Sequence, residues 1–135
     1  MFSVDVKVGR LLEIRLIAPV SLEDIQATGE HLVQLFQRHS GRFVCTADIT
    51  RATVFPQAVA AKVLEVFKVD NPRLERSAIL VSNSAIFGLQ IERLIDAAEN
   101  PARRCFHDRY ELKAFLGSLL THEEHSRLAQ FLSER

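Results

Sequence analysis

The sequence predicts an α/β fold built on a mixed, mostly parallel sheet of about five strands. An opening hairpin leads into βαβαβα, with helices mainly on one face and an extra C-terminal helix. Three observations carry this. Residues 2–8 alternate apolar and polar without a miss, the period of a strand with one wet face. From residue 42 onward, short apolar runs alternate with longer segments of helical period, the pattern of βαβ units and a parallel sheet. Breaks at Gly9-Arg10, Ser40-Gly41, Asn71-Pro72 and Asn100-Pro101 stand between these segments.

The first strand, Phe2 to Val8, turns at Gly9-Arg10 into Leu11–Ile17, where Leu12, Ile14 and Leu16 share one face and Glu13 and Arg15 the other. Ser21-Leu-Glu-Asp24 has the spacing of an N-cap with an acidic third residue, and Leu22, Ile25, Leu32, Leu35 and Phe36 recur at helical spacing up to Ser40-Gly41. Residues 42–49 are nearly continuous in apolar side chains, as a central strand covered by its neighbours should be. Pro56 suits the first residue of a helix running to about Val69, since its missing N–H would be unpaired there anyway. After Asn71-Pro72 comes a strand over Ser77–Val81, then a helix capped by Ser82 or Ser84 and running to about Glu99. Residues 104–106 form a short strand; Asp108 to Glu111 and Thr121 to Glu124 each have capping-box spacing and open the last two helices. Ser3, Asp5, Lys7, Glu13, Arg15 and Thr46 all fall on the back of the early strands, so the second face of the sheet is expected to be wet or used for association.

The whole chain, 1–135, reads as one domain, with 118–135 as a helical extension; at 47% hydrophobic it can bury a core without metals or disulfides. Seventeen basic against seventeen acidic residues leave no net charge, which argues against nucleic acid as a partner. No segment reaches the ~20 apolar residues of a membrane span and no leader pattern opens the chain, so the protein reads as cytoplasmic. Cys45 and Cys105 lie in separate strands with the Ile79 strand between them, on the order of 9–10 Å apart and beyond disulfide reach. Neither has the partners of a metal site or of a reactive thiol. His122-Glu-Glu-His125 lacks the four-residue histidine spacing of a zinc helix and reads as a capped, solvated helix start. His31 and His39 fall on or past a polar helix face, and His107 in a loop. With no nucleophile–base pair, paired carboxylates or metal cage, the sequence points away from an enzyme and calls for no cofactor.

The order of elements and three local patterns resemble the STAS family, the sulphate-transporter and anti-sigma-factor-antagonist domain, in its stand-alone bacterial form, over roughly residues 2–118. Cys45-Thr-Ala-Asp-Ile-Thr-Arg-Ala-Thr-Val-Phe55 is similar to the family's central strand and turn. Ser77–Ser82 resembles its next strand, and Asn100–Asp108 followed by Glu111-Leu-Lys-Ala114 its last strand and closing helix. The same topology is also similar to lipid-binding domains of the Sec14 type. The resemblance implies a regulatory module that docks on another protein, with a phosphorylatable serine at the start of the helix after the central strand. Here the matching positions read Pro56-Gln57-Ala58-Val59, so that switch has lost its acceptor; Thr50 and Thr53 read as turn-formers rather than phosphosites.

The turn between the central strand and the Pro56 helix therefore holds the candidate site. Asp48 and Arg51 end the strand on the side where open α/β sheets place ligands, or else serve as a turn cap and a solvated arginine. Phe55 and Gln57 complete the candidate docking set. Phe55 is expected as an exposed aromatic anchor, the alternative being a staple inward against Val59. Small Ala58, Ala60 and Ala61 would smooth the surface beside it. The partner is expected to be a protein; the C-terminal helix, whose Leu128, Ala129, Phe131 and Leu132 must cover something, is expected to dock on its own domain or on a second copy of this chain. The rival reading is a small-ligand module for lipid or nucleotide, which needs a cavity of a few hundred Å³ at the strand ends.

Overall fold

The computed structural model describes residues 1–134. In chain order its elements are β1 (Phe2–Asp5), β2 (Leu11–Ile17), α1 (Leu22–Arg38), β3 (Phe43–Arg51), α2 (Gln57–Asp70), β4 (Leu74–Leu80), α3 (Ala85–Ala98), β5 (Arg103–Phe106), α4 (Arg109–Gly117) and α5 (His122–Ser133). A 3-10 turn at Asn71–Arg73 links α2 to β4. The strands lie side by side in sequence order; β1 is antiparallel to β2 and every other pair is parallel. This is the mixed five-stranded sheet that the alternation predicts. Because the strand order never reverses, the sheet has no switch-point crevice of the doubly wound kind.

Local chemistry fixes the ends of the elements. Ser21 and Asp24 form a reciprocal capping box at α1, and Thr121 and Glu124 form another at α5. Of the two candidate serines, Ser84 caps α3, accepting from the Phe87 amide at 3.2 Å. Pro56 stands one place earlier than predicted, as the N-cap of α2, with extended backbone and no side-chain bond. Asp108 caps α4 through the Tyr110 amide rather than through a reciprocal box with Glu111. The opening turn requires glycine: Gly9 has φ of +55°, and a Cβ there would lie 2.3 Å from the Glu124 carboxylate. That carboxylate accepts from the Arg10 amide at 2.8 Å and so ties α5 to the turn between β1 and β2.

Helices α1, α2 and α3 cover one face. Leu16, Ala47, Ile49, Ile79 and Val81 meet Ile25, Val59, Val63, Phe87 and Ile91, while Leu12, Phe43, Cys45 and Leu74 continue the layer toward Leu32. The second face, expected to be wet or used for association, carries a core of its own. Leu11, Val44, Ala78 and Leu80 pack against Leu112 and Leu116 of α4 and Leu128, Phe131 and Leu132 of α5. Of the polar residues on this face, Ser3, Asp5 and Lys7 at the β1 edge are exposed as expected, but Glu13 and Thr46 are buried, because the C-terminal extension folds back over them. Arg127 of α5 answers Glu13 with two hydrogen bonds of 2.7 and 2.8 Å.

The Thr46 hydroxyl has no partner in this enclosed layer. Valine has the same shape without the unpaired group, so Thr46→Val is expected to raise the unfolding free energy by about 1 kcal/mol. Urea denaturation checks this, and a loss of stability would mean that the hydroxyl is bonded. Cys45 and Cys105 are free and lie on β3 and β5, with β4 between them. Burial, aided by the Asp70 charge, pushes the Cys45 thiol up to about 12; burial and the Glu92 charge push Cys105 up to about 11. Both should react with a thiol reagent only slowly in the folded protein and fully after unfolding without reductant; finding no free thiol then would contradict the topology.

Candidate functional site

The turn after β3 is shaped from within. Both oxygens of Asp48 are occupied: Oδ1 accepts from the Thr50 amide at 2.9 Å and the Thr50 hydroxyl at 2.7 Å, and Oδ2 accepts from Arg15 at 2.9 Å. With 6% of its surface exposed, Asp48 builds the turn and offers a partner almost nothing. Of its two readings, the turn cap is the one the geometry supports. Thr50 is likewise a turn-former, its hydroxyl proton committed to Asp48.

Phe55 is a correction. It is 4% exposed and meets Phe87 edge to face, with ring centroids 5.3 Å apart, in the cluster that contains Val59. The reason lies in Gln90 on α3. Its side-chain amide accepts from the Phe55 N–H and donates to the Phe55 carbonyl, both at 2.8 Å. With the loop backbone satisfied in this way, the ring turns inward as a staple. The anchor expectation falls, and Arg51 and Gln57 remain exposed on the turn together with Thr53, Val54 and Ala58. Val54 is 47% exposed, the one large apolar side chain the turn presents to solvent.

Beside the turn, on the second face, the ends of β2 and β3 and the start of α4 enclose an open cleft of about 590 Å³ lined by Arg15, Asp48, Thr50, Arg51, Arg109 and Glu134. Arg15 is its fixed member. Besides Asp48 it donates to the Phe131 and Glu134 carbonyls at 3.0 and 3.4 Å, and its guanidinium lies 4.3 Å over the Phe131 ring. The Glu134 carboxylate stands 3.6 Å from Arg15 and 3.0 Å from Arg127. Hydrogen bonds from Arg127 hold its carboxyl below the usual glutamate range. Arg51 and Arg109 are exposed in the same lining and form no ion pair among the described residues.

Between α1 and α2 lies an open groove of about 640 Å³ lined by Gln26, Glu30, Val33, Lys62 and Val69; the interior of the first face holds a small cavity of about 70 Å³, where Asp70, Ser77 and Arg103 interrupt an apolar wall. Small-molecule pockets run to roughly 300–1,000 Å³, so an acyl chain or a nucleotide has no room there. Among the described residues no three His, Cys, Asp or Glu side chains gather as a metal site would require. No helix is long and apolar enough to cross a membrane among them either.

Sequence reasoning placed Asp48, Arg51, Phe55 and Gln57 on one turn, and the structure brings them together there, two buried and two exposed. It missed Arg109 and Glu134 and placed Arg15 on a face expected to be wet or used for association. The usable signal was the apolar stripe of Leu128, Phe131 and Leu132, which needs a surface to cover and finds it on the face that carries Arg15. No known family model matches the chain, and no curated protein matches it in sequence.

Proposed function

We propose that the chain is a non-enzymatic regulatory module that docks on another protein through the turn between β3 and α2. In this reading it resembles STAS anti-sigma-factor antagonists but lacks their phosphorylatable serine. The observation that carries the reading is the Gln90 clamp on Phe55. It pre-orders the turn while leaving Arg51, Val54, Gln57 and Ala58 on the surface. A loop already held in one conformation loses little entropy on docking, so its few exposed side chains can convert contact into affinity. An apolar side chain between a cation and an amide also has the composition of a small interface, an apolar centre with a polar rim.

The test is quantitative capture from the native cell with the full chain as bait. Wild type is expected to retain one protein in stoichiometric amount. Arg51→Glu combined with Val54→Asp should lose it while keeping the circular dichroism and melting temperature of the wild type. Retention of the same protein by the variant would remove the turn as the docking surface.

A second reading, binding of a polar small ligand, is favoured by the cleft, whose volume of about 590 Å³ suits one. Its lipid form has no support in the 70 Å³ interior cavity.

A further inference from the structure

We infer that the cleft at the ends of β2 and β3 binds a small oxyanion of metabolite size, a phosphate or carboxylate group, held between Arg51 and Arg109. The inference rests on the small-ligand reading of this cleft; it shares Arg51 with the proposed docking surface but involves neither Val54 nor Gln57.

Charge is the first argument. Three arginines face two carboxylates in the lining, so it carries three minus two, or one, net positive charge. The imbalance is not spread evenly. Arg15 is consumed by Asp48, by two carbonyls and by the Phe131 ring, which leaves Arg51 and Arg109 facing one volume uncompensated. Two like charges sharing a cleft repel, and an anion between them removes that cost. Arg109 is also the first residue of α4, but the Asp108 carboxylate already caps that helix end, so the arginine itself, not the helix dipole, is what the cleft offers.

The second argument is that the cleft already takes a carboxylate from the chain itself. Glu134, the C-cap of α5, reaches Arg15 at 3.6 Å from the rim. Its other partner, Arg127, is itself answered by Glu13, so Glu134 is held by a cation whose charge is already shared. A free oxyanion with access to Arg51 and Arg109 meets cations that form no ion pair among the described residues. Glu134 opposes its entry by repulsion. The Thr50 hydroxyl, which donates its hydrogen bond to Asp48, contributes no donor to the ligand, so the arginines are the recognition elements. Guanidinium forks match phosphate and carboxylate geometry equally well, which is why the group is named and its carrier is left to the probes.

Calorimetric titration of the full chain at low ionic strength with inorganic phosphate, with succinate and with adenosine as a neutral probe tests this. Saturable binding of phosphate, of succinate or of both is expected, and which of them binds identifies the class. Arg51→Ala and Arg109→Ala should each weaken it about tenfold or more. Glu134→Gln should tighten it severalfold, while Arg93→Ala, an exposed arginine of α3 outside the lining, should leave it unchanged. The inference is overturned if neither anion binds, if Arg51→Ala and Arg109→Ala bind as wild type, if Arg93→Ala loses as much, or if Glu134→Gln binds no more tightly. Adenosine bound without either anion would overturn the oxyanion while leaving the small-ligand reading standing; no binding of all three would remove both.

Discussion

Phe55→Ala is expected to lower the unfolding free energy by about 3–5 kcal/mol, the range for emptying a buried phenylalanine site. The ring is enclosed by Val59, Phe87 and their neighbours, and its edge-to-face contact with Phe87 adds to the area lost. The cavity would lie under the β3–α2 turn, so the turn should loosen even though the Gln90 bonds to its backbone involve no atom of the ring. Urea denaturation of the variant measures the effect. A loss below about 1 kcal/mol, the size of a surface truncation, would mean that the ring is not core.

Arg103→Ala should cost a similar amount, about 3–5 kcal/mol at neutral pH, because it leaves a buried carboxylate without its counter-charge. The Arg103 side chain is 1% exposed and donates to Asp70 at 2.6 Å and to Asn71 at 2.7 Å, with its guanidinium 4.1 Å over the Phe67 ring. It thereby fastens β5 to the end of α2. Burial pushes the Asp70 carboxyl up to about 6 against the pull of Arg103. A carboxyl raised in the folded state favours folding fully below its ordinary value of 3.8, and that contribution is lost as the pH rises through about 6. Removing Arg103 takes away the opposing pull, so the deficit of the variant should be largest at neutral pH and shrink toward about pH 4. A deficit that stays constant with pH would mean that the carboxylate is not the source. Replacing both partners, Asp70→Leu with Arg103→Met, should recover most of the loss, since an apolar pair leaves no buried charge behind.

The parts legible in the sequence were those set by local spacing. Ser21 with Asp24 and Thr121 with Glu124 announce helix starts because a capping box is a three-residue interval. The opening hairpin declares itself by period alone. The start of β4 did not, because Leu74-Glu75-Arg76 reads as a charged loop; its side chains are engaged across the fold, Glu75 with Arg10 and Arg76 with the Phe115 carbonyl. The same limit governs the site. That Asp48 and Arg51 end the central strand follows from the pattern, but the direction of Phe55 depends on Gln90, 35 residues away, and the enclosure of Arg15 depends on α5, more than a hundred residues away. Alternation identified which residues share the second face of the sheet; it carried no information on whether a helix returns to cover it. Arg103 gave no sign of burial because its partner lies in another element, 33 residues earlier.

Docking through the β3–α2 turn is tested most directly by placing a photo-crosslinking amino acid at position 57 in the cell, with position 37, exposed near the end of α1, as the comparison. Irradiation is expected to give one discrete adduct to a protein from position 57 and none from position 37. No adduct from position 57, or the same adduct from both, would contradict the assignment of this turn as the docking surface.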